Sequence, residues 1–256
     1  MSRPETALRL RGLTKRFGDT MAVDHLDLDV PRGSFYGLVG PNGAGKTTTL
    51  SMATGLMRPD AGSAEVLGTD VWTDPVQAKA GIGVLPDGLR IFDRLTGRQL
   101  VTYAGLLRAM DRRLVLDRVD ELLVALGLAD EADKLVIDYS AGMTKKVTLA
   151  CALVHAPRLL VLDEPFEAVD PVSARTIRGI LEDFTAGGGT VVLSSHVMDL
   201  VERICDHVAI IARGRVRAAG PVAAVQAGLS LEDRFLDLVG ESTAVQGLAW
   251  LRTSCD

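Results

Sequence analysis

Apolar residues along this 256-residue chain change their spacing twice. Between residues 7 and 39 they alternate with polar ones: Leu8 and Leu10, then Leu26, Leu28 and Val30 set against Asp27 and Asp29. A period of two belongs to half-buried strands and predicts an antiparallel β layer at the N-terminus. Residues 34–39 form a short apolar strand, 58–63 a turn, and 64–68 and 81–86 two further strands, the last ended by Pro86. From Arg98 to about Ala156 the repeat lengthens to three or four, through Leu100, Tyr103, Leu106 and Leu107, then Val119, Leu122, Leu123 and Leu126. This stretch predicts a helical insertion. Beyond it come the continuous apolar runs of residues 159–162, 190–193 and 207–212. Runs without alternation suit strands covered on both faces, as in a parallel sheet between helices. Arg213-Gly214-Arg215 reads as a hairpin turn, and residues 231–239 as one short amphipathic helix in a modest tail.

The apolar strand at 34–39 runs into Gly40-Pro41-Asn42-Gly43-Ala44-Gly45-Lys46-Thr47-Thr48, and helical sequence follows. Gly, four residues, then Gly-Lys-Thr between a strand and a helix is the phosphate-loop pattern. Glycines let the backbone curl so that N–H groups point at a phosphate, Lys46 supplies a point charge, and Thr47 offers a hydroxyl to Mg²⁺. A nucleoside triphosphate with Mg²⁺ is the expected ligand.

Two further strands end in polar residues, where open α/β sheets place their ligands. Asp163 and Glu164 close the run at 159–162, and two carboxylates there are costly unless they face a cation or a site. Asp163 is expected to hold Mg²⁺ and Glu164 to orient the attacking water. His196 ends the strand at 190–195; by itself it reads equally well as a structural histidine or as a contact to the γ-phosphate or the water. Ser140 precedes an apolar helix, as an ordinary N-cap or as part of a second anion site. Phe17 precedes a turn, as a core residue or as a ring that stacks on a base.

Composition narrows the class without naming it. With 47% hydrophobic residues the chain can bury a large core, and its net charge of −5 lacks the basic footprint of a nucleic-acid binder, so no nucleic acid is expected. Cys151, Cys205 and Cys255 stand far apart without a CxxC pair, which suits reduced, buried thiols. No apolar run reaches the roughly 18 residues of a membrane helix.

Taken in order, these residues resemble the nucleotide-binding subunit of ATP-binding cassette (ABC) transporters over nearly the whole chain. The resemblance identifies Phe17 as the aromatic A-loop residue, residues 40–48 as Walker A, Pro86-Asp87 as the Q-loop, and Ser140-Ala141-Gly142-Met143 as the signature. Residues 159–164 match Walker B, Ala168-Val169-Asp170 the D-loop, and His196 the switch histidine. It implies an α/β fold: a P-loop NTPase mixed-sheet core with an N-terminal antiparallel β layer and an inserted helical subdomain. The implied division is a single ABC ATPase domain, with residues 7–97 and 157–220 as a RecA-like core, 98–156 as the helical signature subdomain and 221–256 as a C-terminal tail.

In function, the resemblance implies ATP hydrolysis with Glu164 and His196 as catalytic residues. Nucleotide contacts are implied for Phe17, Gly40, Pro41, Asn42, Gly43, Ala44, Gly45, Lys46, Thr47, Thr48, Ser140, Ala141, Gly142 and Asp170. Metal contacts are implied for Thr47, Asp87 and Asp163, with ATP and Mg²⁺ as the cofactors. Subunits of this family pair head to tail, as a homodimer or a heterodimer, so Ser140 and Gly142 are expected to close the site of the partner. A separate transmembrane permease would hold the protein at the cytoplasmic face of the membrane. Met143 and the run Phe166-Glu167-Ala168-Val169-Asp170-Pro171 resemble exporter ATPases. Three departures stand out: Asp87 replaces the Q-loop glutamine, Ala141 replaces a signature glycine, and Glu167-Ala168-Val169-Asp170 lacks the serine usual in the D-loop. They leave open a partner subunit of low activity, and a non-transport ATPase acting on the ribosome or DNA is the alternative from another class.

Overall fold

The two alternating segments pair with each other. Thr6–Phe17 (β1) and Thr20–Pro31 (β2) run antiparallel, with Leu8 opposite Val30 and Leu10 opposite Leu28. These side chains and Leu26 are buried, while Arg9 and Arg11 face Asp29 on the outer surface. Period two thus becomes an apolar inner face and a charged outer one. The other edge of β1 pairs with Ala61–Val66 (β4), and Thr69–Asp70 (β5) completes this four-stranded layer. β4 differs from the sequence expectation in starting at Ala61 and stopping at Val66. Pairing with Thr14 and Arg11 draws residues 61–63 into the strand, and left-handed Leu67 and Gly68 (φ 52° and 87°) turn the chain into β5. The computed structural model describes residues 5–88 and 92–240; Met1 to Pro4, residues 89–91, and Cys255 with the rest of the expected tail beyond 240 lie outside them.

The second sheet has six strands. Phe35–Val39 (β3), Ile82–Leu85 (β6), Leu159–Leu162 (β7), Thr190–Ser195 (β8) and His207–Ala212 (β9) are parallel, in the order β9-β3-β8-β7-β6. Arg215–Pro221 (β10) joins antiparallel beside β9 and makes the sheet mixed. Its hairpin turns through Arg213 and Gly214 (φ 53° and 72°), two successive left-handed residues that suit the twist of the strands.

The continuous apolar runs follow from burial on both faces. Tyr36, Leu38, Leu159 and Val161 pack against the antiparallel layer and Lys46–Ala53 (α1). Phe35, Val39, Leu160 and Leu162 pack on the opposite side against helices. Those helices include Gly97–Leu107 (α3), Arg112–Ala125 (α4) and Ala141–Leu153 (α5), which fill the stretch where the period was helical. A capping box from Thr96 and Gln99 starts α3, Asp111 caps α4 and Ser140 caps α5. Pro75–Ala80 (α2), Pro171–Ala186 (α6), Met198–Ile204 (α7), Val222–Gln226 (α8) and Leu231–Val239 (α9) are the remaining α-helices described. Cys205 is buried, Cys151 is partly so, and both are free thiols that burial pushes to high pKa, about 12 for Cys151.

His155, just past α5, donates from Nε2 to the Ile82 carbonyl (3.0 Å). Burial, and then the nearby Arg108 charge, push its pKa down to about 4. The ring is therefore neutral in the fold but titrates near 6.5 once unfolded, so the unfolded state binds the extra proton between those values. Stability from this group is complete above pH 6.5 and lost as pH falls toward 4. His155→Gln is expected to flatten the fall of the urea midpoint between pH 6.5 and 4.5; an unchanged pH profile would contradict the assignment.

Candidate functional site

Strand order assembles the site. β3 and β7 flank β8, with Val39 opposite Ser195 and Leu162 opposite Leu193, so the chain leaves all three strands at the same edge. Gly40, Asp163-Glu164 and His196 are the residues that follow there.

The phosphate loop is wedged between the two sheets. A side chain at Gly40 would meet the Ile211 carbonyl of β9 at 2.2 Å. At Gly45 (φ 103°) it would meet the Ala22 carbonyl of β2 at 2.4 Å. No residue but glycine fits either place. Gly45 precedes the first turn of α1 and brings no side chain to cap it, so the N–H groups of that turn point at the cleft with the positive end of the helix dipole. Lys46 is buried; its ammonium donates to the carbonyls of Gly40 (2.8 Å) and Pro41 (3.3 Å) and lies 3.6 Å from Glu164 Oε1. The cleft, about 380 Å³, is lined by residues 42–48, by Phe17 and Ala22 of the antiparallel layer, and by Asp87, Glu164 and Glu167. Phe17 is thus a cleft residue rather than a core one, and Lys15 Nζ sits 5.8 Å from its ring centroid.

Asp163 and Glu164 are both buried. Asp163 Oδ1 accepts from the Ser194 hydroxyl (2.5 Å), and that hydroxyl accepts from the Glu164 N–H (2.9 Å). Glu164 adopts φ 45°, a left-handed conformation that a glutamate holds only under restraint. Its Oε2 meets His196 Nδ1 at 3.1 Å. A buried ammonium, a buried carboxylate and a half-exposed imidazole thus form one chain beside the first turn of α1.

Among the described residues no three carboxylate, histidine or cysteine side chains cluster as a metal cage. Mg²⁺ is commonly held by one or two protein oxygens together with substrate phosphates. Exposed Thr47 on the loop and buried Asp163, with one oxygen still unengaged by Ser194, fit that role. Asp87 reaches the cleft wall but faces Lys145 Nζ at 3.6 Å.

Ser140, Ala141, Gly142 and Asp170 do not line this cleft. Ser140 is the N-cap of α5 and accepts from the Met143 N–H (3.2 Å). Asp170 caps α6, accepting from the N–H groups of Ser173 and Val172; the bonds from the Ser173 N–H and side chain, and then from Val172, hold its pKa below the usual range. The two caps meet: a side chain at Gly142 would lie 2.9 Å from Asp170 Oδ2 and 3.0 Å from Ser173 Oγ. Exposed Ala141 has no left-handed backbone, so its methyl brings no strain. Ser194 and Lys145 belong to the site without belonging to any motif, and Glu167, at the start of the D-loop run, lines the cleft without having been expected there. Ser194 left one trace, sharing the parity of His196 on a strand end.

Fold and cleft together define a P-loop ATPase with an antiparallel β layer and a helical insertion. Comparison with known proteins makes the class specific: the family model "ABC transporter" matches residues 23–167. The chain is 37% identical over 228 residues to the daunorubicin/doxorubicin resistance ATP-binding protein DrrA of Streptomyces peucetius, covering 89% of this chain and 69% of that protein. It is 38% identical over 225 residues to the Nod factor export ATP-binding protein I of Cupriavidus metallidurans, covering 83% and 70%. A solved ATP-binding subunit of an ABC transporter superposes with a TM-score of 0.84 at 27% identity, covering 91% of this chain and all of that one. The chain belongs to the ABC transporter family, as an ATP-binding and ATP-hydrolysing subunit.

Gly45→Ala forces a methyl against the Ala22 carbonyl at a backbone angle that L-residues avoid. It is expected to destabilise the fold by about 1–3 kcal/mol and to abolish nucleotide binding, measured by thermal melting and fluorescent-nucleotide titration. A variant that binds normally would exclude the proposed wedge.

Proposed function

We propose that this subunit powers export through a separate transmembrane permease, and that two ATPase subunits, identical or different, close head to tail over ATP. The observation that carries the reading is the position of Ser140 to Gly142, which stand at the N-terminus of α5 beside the Asp170 cap of α6 and do not line the phosphate-loop cleft. An anion site separated from its own cleft is what a composite site between two subunits requires. Export is supported by the relatives, whose names record drug resistance and Nod factor export, and by a probable multidrug transporter ATP-binding protein of Escherichia coli, 34% identical over 216 residues.

In this reading the first-turn amides of α1 and Lys46 bind the β- and γ-phosphates, and Phe17 stacks on the base. Lys46 exchanges the Gly40 and Pro41 carbonyls for phosphate oxygens, so binding replaces hydrogen bonds to neutral acceptors with ones in which both partners are charged. Thr47 and Asp163 are the residues that would hold Mg²⁺, which when bound neutralises charge on the phosphates. Glu164 orients the attacking water and takes up its proton, while His196 holds the carboxylate in place. Residues 98–156 act as the subdomain that presents the signature to the partner.

The permease is assigned to an apolar groove of about 280 Å³ between α3, α5 and β6. Leu107 and Phe92 are largely exposed there, and Phe92 packs edge-on against Tyr103 with centroids 5.5 Å apart. Large apolar side chains left facing water mark an interaction surface, and one that bridges the helical insertion and the core suits a subunit moved by their relative motion. No described helix is long and apolar enough to cross a membrane. In this reading the groove is the contact that attaches the subunit at the cytoplasmic face.

Glu164→Gln is expected to slow ATP turnover at least ~100-fold and to accumulate an ATP-bound dimer in gel filtration. A variant that stays monomeric at saturating ATP would overturn the composite site. Leu107→Glu is expected to retain ATPase activity while losing association with the membrane fraction, measured by sedimentation with membranes.

A further inference from the structure

Lys145, in the second turn of α5, reaches across to the hydrolytic carboxylate. Its ammonium donates to the backbone carbonyl of Glu164 (2.9 Å) and lies 3.6 Å from Asp87 Oδ1, with four-fifths of the side chain out of solvent. The same carbonyl accepts from the Glu167 N–H (3.2 Å), which closes the turn after β7. On its other side, the Glu164 N–H is held by Ser194. Side chains from α5 and β8 therefore grip the residue whose φ of 45° is the least comfortable in the site. A residue kept in the left-handed region needs surroundings that over-determine it. Loosening the carbonyl lets Glu164 relax, and its carboxylate then moves away from Lys46 and His196.

We propose that Lys145 is a positioning residue for ATP hydrolysis, holding the Glu164 backbone from the signature helix with Asp87 as its counter-ion. This rests on the reading of Glu164 as the group that orients the water. The charge at position 87 acquires a reason: an anion neutralises an ammonium that is mostly out of water, which a glutamine does not. A shift of α5, one turn beyond the Ser140 cap, is carried through Lys145 to the carboxylate of the same subunit. Engagement of the signature and alignment of Glu164 become one event.

Lys145→Met removes the cation while keeping most of the stem. It is expected to lower kcat by ~10- to ~100-fold, the scale of a small misplacement of a catalytic group, and to leave KM and fluorescent-nucleotide affinity within about two-fold. Lys145→Arg, which restores a charged donor, should recover most of kcat; Asp87→Asn should slow turnover in the wild-type background but not on top of Lys145→Met. In nucleotide-free protein the Glu167 amide should exchange with deuterium faster in Lys145→Met than in wild type. Unchanged kcat beside an active wild type, a loss of nucleotide affinity in place of kcat, or failure of Lys145→Arg to rescue would each overturn the proposal. If Lys145→Met does not fold, Lys145→Gln is measured against the same criteria. A wild-type protein without ATP turnover would instead refute the hydrolytic reading, and the proposal with it.

Discussion

Two carboxylates buried side by side at the end of β7 are the constraint from which the rest of the site follows. Removing an ionised carboxylate from water costs several kcal/mol unless charge and hydrogen bonds replace the solvent. Asp163 has the Ser194 hydroxyl; Glu164 has Lys46, His196 and, along its backbone, Ser194 and Lys145. These partners come from three separate parts of the chain, so the carboxylates specify how the phosphate loop, the end of β8 and α5 converge. The loop depends on them in return, since its buried lysine would otherwise face only carbonyl oxygens.

The antiparallel layer is as necessary to this arrangement as the central sheet. Gly45 leaves just enough room for the Ala22 carbonyl of β2, and Gly40 for the Ile211 carbonyl of β9. The loop is thereby clamped between two sheets before any phosphate arrives, which lowers the entropy cost of ordering it on binding. Phe17 and Ala22 then line the nucleotide cleft from the layer side. On the other face of the central sheet, α3 to α5 bury their apolar rows against β6 to β8. One sheet thus joins the nucleotide cleft to the helices that carry the signature and the exposed groove.

Most of the fold was legible because the two periodicities were clean. Leu8 and Leu10 against Leu28 and Val30 could be read as a β layer, and the lengthened spacing after Arg98 as helices, since those patterns reflect which face is buried. The start of β4 was less legible, because pairing with β1 recruited residues 61–63, whose own sequence favours a turn. The short connecting helices α2, α7 and α8 were obscure for a similar reason: too brief to show a period, they are stabilised by what they pack against. In the site, residues 40–48, Asp163-Glu164 and His196 could be read because their chemistry is local and their order is characteristic. Ser194 and Lys145 could not, because each matters only through a neighbour distant in the chain.

The amino-acid sequence by itself determined the chemistry: which loop can cradle a phosphate, which residues carry the charge, and which strands must be covered on both faces. These are properties of short segments, dictated by side-chain type and by periods of two and 3.6 residues. Only the tertiary structure decided whether Phe17 belonged to the core or the cleft, that Ala141 carries no backbone strain, and that Asp87 is neutralised by Lys145. It also separated Ser140 to Gly142 from the cleft in their own subunit. The physical reason is that Phe17, Asp87 and the signature residues depend on what another part of the chain places within a few ångströms, and Ala141 on a backbone angle fixed by the helix it joins; a one-dimensional pattern holds neither.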